Sequence, residues 1–323
     1  MKFPSRTWLL VQAIVTVVLL LLLIRTLDLS AMRMLLLDLP LQFYFVSLGV
    51  VLLGQVAYAW RWRLLLHAAG ASVCFRTAVR QYFVGIFVNN FLPSTVGGDV
   101  AKVVYLGPQH GYRTVAASVM IDRLLGLGIL AVLATIALWL SPVSSIHFAL
   151  ARIVSGLIAA ASVLMLVLAG FGTGGLAARV ARFGTRVVHL AERLQRLRLD
   201  MAAPLGRPAV LAQAAAVVVG YSVAITAIYM RFAAVQHVPV PPFLAMFAVV
   251  TATALLSNVP VSLNGLGVRE QLHAVLLAPL GMSVESAVAI SLLLYAHLLV
   301  SSLIGFLFWL RRPVVQPGVS QPT

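Results

Sequence analysis

Few ionisable side chains interrupt the long apolar stretches of this 323-residue chain, and those that do gather in three short motifs. The first is Asn89-Asn90-Phe91-Leu92-Pro93-Ser94-Thr95-Val96-Gly97-Gly98-Asp99, followed by Lys102. The second is Asp122-Arg123, and the third is Pro260-Val261-Ser262-Leu263-Asn264-Gly265-Leu266-Gly267-Val268-Arg269-Glu270. Proline removes a backbone donor and breaks a helix, and glycine permits a sharp turn. Such a break leaves half-helix N-termini, which attract anions such as phosphate. Gly97-Gly98 ahead of Lys102, and Gly265 and Gly267 ahead of Arg269, therefore have the make-up of a phosphate or phosphodiester site. Asp99 and Glu270 can pair with those cations or take part in ion coupling, and Asn90 and Asn264 supply polar lining. Asp122-Arg123, some two turns into an apolar stretch, reads as an internal ion pair or part of the same pathway. The competing reading of Asp99–Lys102 and Arg269–Glu270 is plain helix-end charge at a membrane interface, and that of Asp122-Arg123 a purely interfacial placement.

Elements that could hold such motifs follow from composition. The apolar fraction is 62% and the charged fraction 10%, against about 25% charged in soluble domains. With a mean hydropathy of +1.04, the fold class is all-α integral membrane. About six full spans are expected, with two broken or re-entrant helical hairpins between them, an eight-helix-like arrangement. The spans are 8–24, 41–60, 114–140, 147–170, 209–230 and 284–310; the broken segments are 79–105 and 243–280. Residues 26–40 read as a short interfacial segment. Residues 1–312 form a single polytopic domain containing a basic linker at about 172–208, and 313–323 read as a short disordered tail. No soluble domain of useful size is expected at either end.

The formal net charge of +15 belongs to membrane orientation and not to nucleic acid, since no nucleic-acid fold signature accompanies it. One cysteine excludes a disulfide framework within the chain. The seven histidines show no metal-binding spacing, so no metal and no cofactor are expected. No Walker loop or nucleophile elbow is present. With both termini cytoplasmic, most of the 23 Lys and Arg residues fall on the inner face, and only Arg25, Arg33, Arg152, Arg231 and Arg269 on the outer. Arg61-Trp62-Arg63 and Arg311-Arg312 read as headgroup anchors. In this orientation the first broken segment opens inward and the second outward, the outline of an inverted repeat.

The three motifs, in this order, resemble the lysylphosphatidylglycerol synthase transmembrane, or flippase-like domain, family. Its pattern is similar to N-x-x-L-P-x-x-x-G-G-D, then D-R in the next span, then P-x-S-x-x-G-x-G-x-R-E. The resemblance implies a multi-pass protein of the bacterial inner membrane that translocates an anionic-headgroup, aminoacylated or glycosylated lipid. It also implies membrane lipids as ligands and a separate glycosyltransferase or lipid-modifying enzyme as partner. Gly97, Gly98, Asp99 and Lys102 would form an inner gate, Asn264, Gly265, Gly267, Arg269 and Glu270 an outer gate, with Asp122 and Arg123 between and Asn90, Pro93 and Pro260 on the same lipid pathway. Two departures stand out. No soluble aminoacyl-transferring domain is read here, and Lys102 replaces an arginine, which keeps the charge but loses bidentate phosphate recognition. The alternative is a membrane enzyme, accessory or scaffold subunit for modifying a polyprenyl or phospholipid headgroup.

Overall fold

The computed structural model describes residues 28–91, 97–170, 199–238, 240–259 and 262–311, together with Ile14, Val17, Val18 and Leu21. These four isolated residues are helical, exposed and spaced as one helix face within the stretch read as span one. The rest of that span, most of the basic linker, Pro93, Pro260 and the tail lie outside the described residues. Among the described residues there are helices and turns but no strand. Hydrocarbon offers backbone N–H and C=O no partner, and a helix satisfies them within its own segment.

In chain order the helices are α1 (Leu29–Leu37), α2 (Leu41–Ala68), α3 (Phe75–Phe91), α4 (Gly97–His110), α5 (Tyr112–Leu140), α6 (Ile146–Gly170), α7 (Pro208–Val235), α8 (Phe243–Leu256), α9 (Val268–Leu277) and α10 (Val284–Leu310). Of these, α2, α5, α6, α7 and α10 are long and apolar enough to cross a membrane. The sequence places the end of the second span at Trp60, whereas α2 runs on to Ala68. Leu64-Leu65-Leu66 resume the apolar pattern, and Arg61 and Trp62 are buried where headgroup anchors are expected.

Both broken segments are hairpins. In the first, α3 and α4 lie antiparallel. The Gly98 amide donates to Asn89 Oδ1 at 2.6 Å, and the Lys102 ammonium sits 4.6 Å from the Tyr82 ring centre. A methyl group at Gly98 would strike the Gly85 carbonyl, so glycine is what lets the arms close. In the second, α8 and α9 join through the turn Leu263–Gly265. There Asn264 (φ 50°), Gly265 (φ 76°) and Gly267 (φ 79°) take left-handed backbone, which glycine and asparagine tolerate best.

The hairpins open on opposite faces. Helix α10 runs antiparallel to α3: Arg80 Nη2 donates to the carbonyls of Phe308 (3.2 Å) and Arg311 (2.6 Å) at one end, and Asn90 bonds Ser302 at the other. The first hairpin therefore opens where α10 ends, and the second where α10 begins. Helices α2 and α7 cross antiparallel at the centre. Phe43 meets Phe232, and Gly54 lies against the Tyr221 ring. Gly54 and Tyr221 occupy the same position in their helices, counted from Leu41 and Pro208.

Exchange of the two halves maps most of the packing onto itself. Helix α3 packs on α10 as α8 packs on α5, α4 on α5 as α9 on α10, and α5 on α7 as α10 on α2. This is the contact pattern an inverted repeat requires. The main departure is that α2 packs on α5, while α7 and α10 do not pack to a comparable extent. Helix α6 lies outside the repeat against α5, with Leu150, Ile153, Leu157 and Leu164 exposed, a lipid-facing stripe.

Close approach of α3 and α10 depends on Gly305, whose added methyl would run into the Phe83 carbonyl. Gly305→Ala should destabilise the purified protein by about 1–3 kcal/mol, as overpacking does. Gly49→Ala, which meets open space, should stay within about 0.5 kcal/mol. Thermal unfolding of both variants in detergent measures the difference.

Candidate functional site

The charges of the first two motifs converge on a cavity of about 230 Å³. Its wall is built from both halves: Arg61 of α2, Tyr82 and Asn89 of α3, Asp99 and Lys102 of α4, Asp122 and Arg123 of α5, then Val218 of α7 and Asn258 beyond α8. Arg123 lies about 16 Å along the 29-residue α5 from Tyr112 at 1.5 Å per residue, towards the middle of the helix. The cluster is therefore deep in the bundle.

Two linked ion clusters form the wall. Asp99 Oδ2 receives Arg123 Nε at 2.6 Å, and its Oδ1 receives Lys102 Nζ at 3.4 Å. Lys102 is held over two rings, 4.9 Å from Trp62 and 4.6 Å from Tyr82. A desolvated cation over an aromatic face gains about 2 kcal/mol or more per contact, so these rings fix a lysine that its longer ion pair holds loosely. Asp122 Oδ1 receives Arg61 Nε at 2.9 Å, and its backbone carbonyl receives Arg61 Nη2 at 3.3 Å. The guanidinium lies 4.7 Å from the Tyr58 ring, while Nη1 is buried without a hydrogen-bond partner. Gly126 leaves room for it, since a methyl group there would sit 3.0 Å from Nη2.

The third motif is a separate, closed cluster towards the other face. Glu270 is fully buried. Its Oε2 accepts the Gly267 amide at 2.7 Å; its Oε1 accepts Arg269 Nη2 at 2.8 Å and Ser291 Oγ at 3.0 Å. Arg269 lies 4.9 Å from the Tyr295 ring. His273 Nδ1 is 2.9 Å from the Arg269 carbonyl, which can only accept, so Nδ1 carries the hydrogen. In the neutral ring, Nε2 then accepts from the Tyr229 hydroxyl at 2.5 Å. The carboxylate that occupies the N-terminus of α9 is thus the protein's own.

Of the residues singled out in the sequence, Asp99, Lys102, Asp122 and Arg123 share the cavity wall. Arg269 and Glu270 form the second cluster, and Asn90 and Asn264 hydrogen-bond each other, joining the two hairpins. Gly97 and Gly98 begin α4, but the Gly98 amide is already donated to Asn89. Gly265 and Gly267 shape the turn into α9.

Sequence reasoning missed Arg61 as a site residue, together with Asn89, Asn258, Tyr229 and His273. Arg61, Leu65 and Ala68 recur at helical spacing and are all buried, a continuity that the charges of Arg61 and Arg63 mask. Arg63, by contrast, does act at the helix end, with Nε donating to the Val73 carbonyl at 2.8 Å.

Breaking one partner of a buried ion pair costs about 3–5 kcal/mol, because the other charge is stranded. Arg61→Gln and Asp122→Asn should each lower stability by that order, and the double variant should recover most of the loss. Thermal unfolding of the three proteins gives the coupling; additive losses would mean that the two side chains act independently.

Comparison with known proteins bears on this arrangement. A UPF0104 membrane protein of Pyrococcus horikoshii is 28% identical over 95 residues, a stretch that covers 28% of each chain. The chain thus spans well under half the length of that relative. The family model described as "Lysylphosphatidylglycerol synthase TM region" matches residues 9–310, from the first apolar stretch to the end of α10 and across all three motifs. The chain is a multi-pass helical membrane protein that belongs to the lysylphosphatidylglycerol synthase transmembrane family.

Proposed function

We propose that this protein is a lipid translocase of the bacterial inner membrane that carries the polar headgroup of an anionic, aminoacylated or glycosylated lipid between leaflets. The observation that supports this reading is the charged cavity, lined from both halves, deep in the bundle. A polar headgroup crosses hydrocarbon only at a cost of several kcal/mol, and a polar cavity lowers that cost while the acyl chains stay in lipid. Two hairpins opening on opposite faces, with their asparagines in contact, supply a route from one side to the other. Asp99, Lys102, Asp122 and Arg123 receive the headgroup, and Arg269 and Glu270 close the opposite side. A separate glycosyltransferase or lipid-modifying enzyme supplies the lipid. Purified protein in vesicles should exchange a labelled lipid between leaflets. Asp99→Ala and Glu270→Ala should slow that exchange by about tenfold or more. Headgroup conversion without exchange would sink this reading and favour a membrane enzyme.

With both termini in the cytoplasm, as this reading has them, the turn between α2 and α3 lies there too. That turn carries Cys74, exposed, with Sγ 3.1 Å from the Thr77 hydroxyl. The Thr77 hydrogen bond lowers the thiol pKa from its ordinary value, which raises the reactive thiolate fraction. An impermeant maleimide should label Cys74 only after the cells are permeabilised. Labelling of intact spheroplasts would reverse the orientation.

A further inference from the structure

The two hairpins enter from opposite faces and meet at their tips. Among the described residues, no helix of one packs extensively on a helix of the other; each hairpin lies instead against α5 and α10. A short relay of side chains joins them. Asn264 Nδ2 donates to Asn90 Oδ1, and Asn90 Nδ2 donates to Ser302 Oγ on α10. Ser302 Oγ in turn donates to the Ile86 carbonyl of α3 at 3.4 Å. The order of donors is set, because turning the Asn90 amide over would bring two NH2 groups face to face.

This relay lies at the inner end of the cavity. Asn89 and Asn258 are part of the cavity wall, and both adjoin the relay. Asn89 precedes Asn90 in the chain. Asn258 follows Ser257, whose carbonyl would sit 3.0 Å from a methyl group at Gly265, the neighbour of Asn264. The charges of the cavity wall lie on one side of the tips, and the closed Arg269–Glu270 cluster lies on the other.

Magnitudes decide which of these contacts can open and close. Stranding one member of a buried ion pair shifts an equilibrium by about a hundredfold or more. A neutral hydrogen bond, exchanged for one to water, is worth only about fivefold. Asn90 and Asn264 are uncharged and half-buried, and each amide can re-pair with water or with the polar part of a passing molecule. Asn264 also stands in a turn of left-handed backbone beside Gly265, where the chain can change direction at little steric cost. Ser302, by contrast, is buried in α10 and does not share that freedom.

We propose that the Asn90–Asn264 bond is a gate, shut in this structure, that closes the cavity off from the opposite face. Parting the two amides opens the way between the tips, and Ser302 is the positioning residue that holds Asn90 in place. The gate rests on the translocation reading for what passes through it. It goes beyond that reading by putting the barrier at two uncharged side chains between the charged motifs and not at either motif.

Thiol accessibility in sealed vesicles carrying the full chain tests the gate. The chain has one cysteine, so Cys74→Ser gives a blank background. Val218→Cys, close in volume, then puts a single thiol on the cavity wall, and Leu130→Cys is a second reporter on another helix. A small impermeant methanethiosulfonate is applied to one face or the other. The thiol should react from the side where α10 ends and slowly from the side where α10 begins. Asn264→Gly, which keeps the left-handed turn and deletes the amide, should raise the rate from that second side about fivefold. Asn90→Ala should raise it at least as much, since Ser302 loses its partner too. Adding Asn264→Gly to Asn90→Ala should then change little, because the shared bond is already gone. The rate from the first side should stay within about twofold throughout, the range of a neutral substitution. An unchanged rate from the second side in both single variants would overturn the proposal. So would equal rises from both sides, which report a loosened fold, or additive effects of the two substitutions. If access rises as stated but no vesicle shows leaflet exchange, translocation fails and the gate stands. If lipid is exchanged while access stays unchanged, translocation stands and the gate fails.

Discussion

Breaking a helix inside a membrane frees backbone N–H and C=O groups that hydrocarbon cannot solvate, and most of this architecture follows from supplying them with partners. At the first break the partner is Asn89, which receives the Gly98 amide; at the second it is Glu270, which receives the Gly267 amide. Asn90 and Asn264 satisfy each other and so tie the two breaks together. An acid in the first turn is favoured by the positive end of the helix, and both α4 and α9 have one in Asp99 and Glu270. Burying that acid then demands a cation, and the cation demands an aromatic face or a second acid. Trp62, Tyr82, Tyr295, Arg61 and Asp122 are successive answers to that demand.

The two halves answer it differently. Glu270 reaches back to the Gly267 amide at its own helix start. Asp99, at the same position of α4, directs its two oxygens to Arg123 and Lys102, while Asn89 receives the Gly98 amide. Equivalent positions then diverge in step. Lys102 over Trp62 corresponds to His273 on Tyr229, a cation on a ring in one half and a neutral hydrogen-bonded stack in the other. Arg61 and Asp122 correspond by helix position to the apolar Ile228 and Leu294, so the ion pair that joins α2 to α5 has no charged counterpart at those positions of α7 and α10. The departure from symmetric packing falls at this place.

The sequence carries the membrane-spanning helices and both breaks legibly, because hydrocarbon leaves an apolar run few alternatives. Val284–Leu310 is read to the residue, and α5, α6 and α7 differ from expectation mainly at their ends. Asp99, Lys102, Asp122 and Arg123 are also legible as one site, since each is an ionisable group in an apolar run and such groups seek each other. Arg61 is not. Two arginines around a tryptophan look like the end of a span, and only the fold shows that one of them faces Asp122 across α5 while the other caps the α2–α3 turn. Pairings across the repeat, such as Tyr229 with His273 or Asn258 with the cavity, depend on tertiary register and leave no local pattern. The paired glycines carry a double meaning. Gly98 fits a phosphate loop by composition, yet its amide is used and its missing side chain admits the Gly85 carbonyl.

Stability alone does not account for the charges of the first half. A buried ion pair roughly breaks even with apolar side chains of similar volume, and replacing one is often neutral or stabilising. The second half carries the apolar Ile228 and Leu294 at the equivalent positions of α7 and α10, and its buried acid, Glu270, is saturated by near neighbours. A chain selected for packing could have used that solution twice. What the first half has instead, among the described residues, is a wall of three cations and two acids around a cavity. Charges so placed cost stability that apolar packing would not, so packing alone does not explain them.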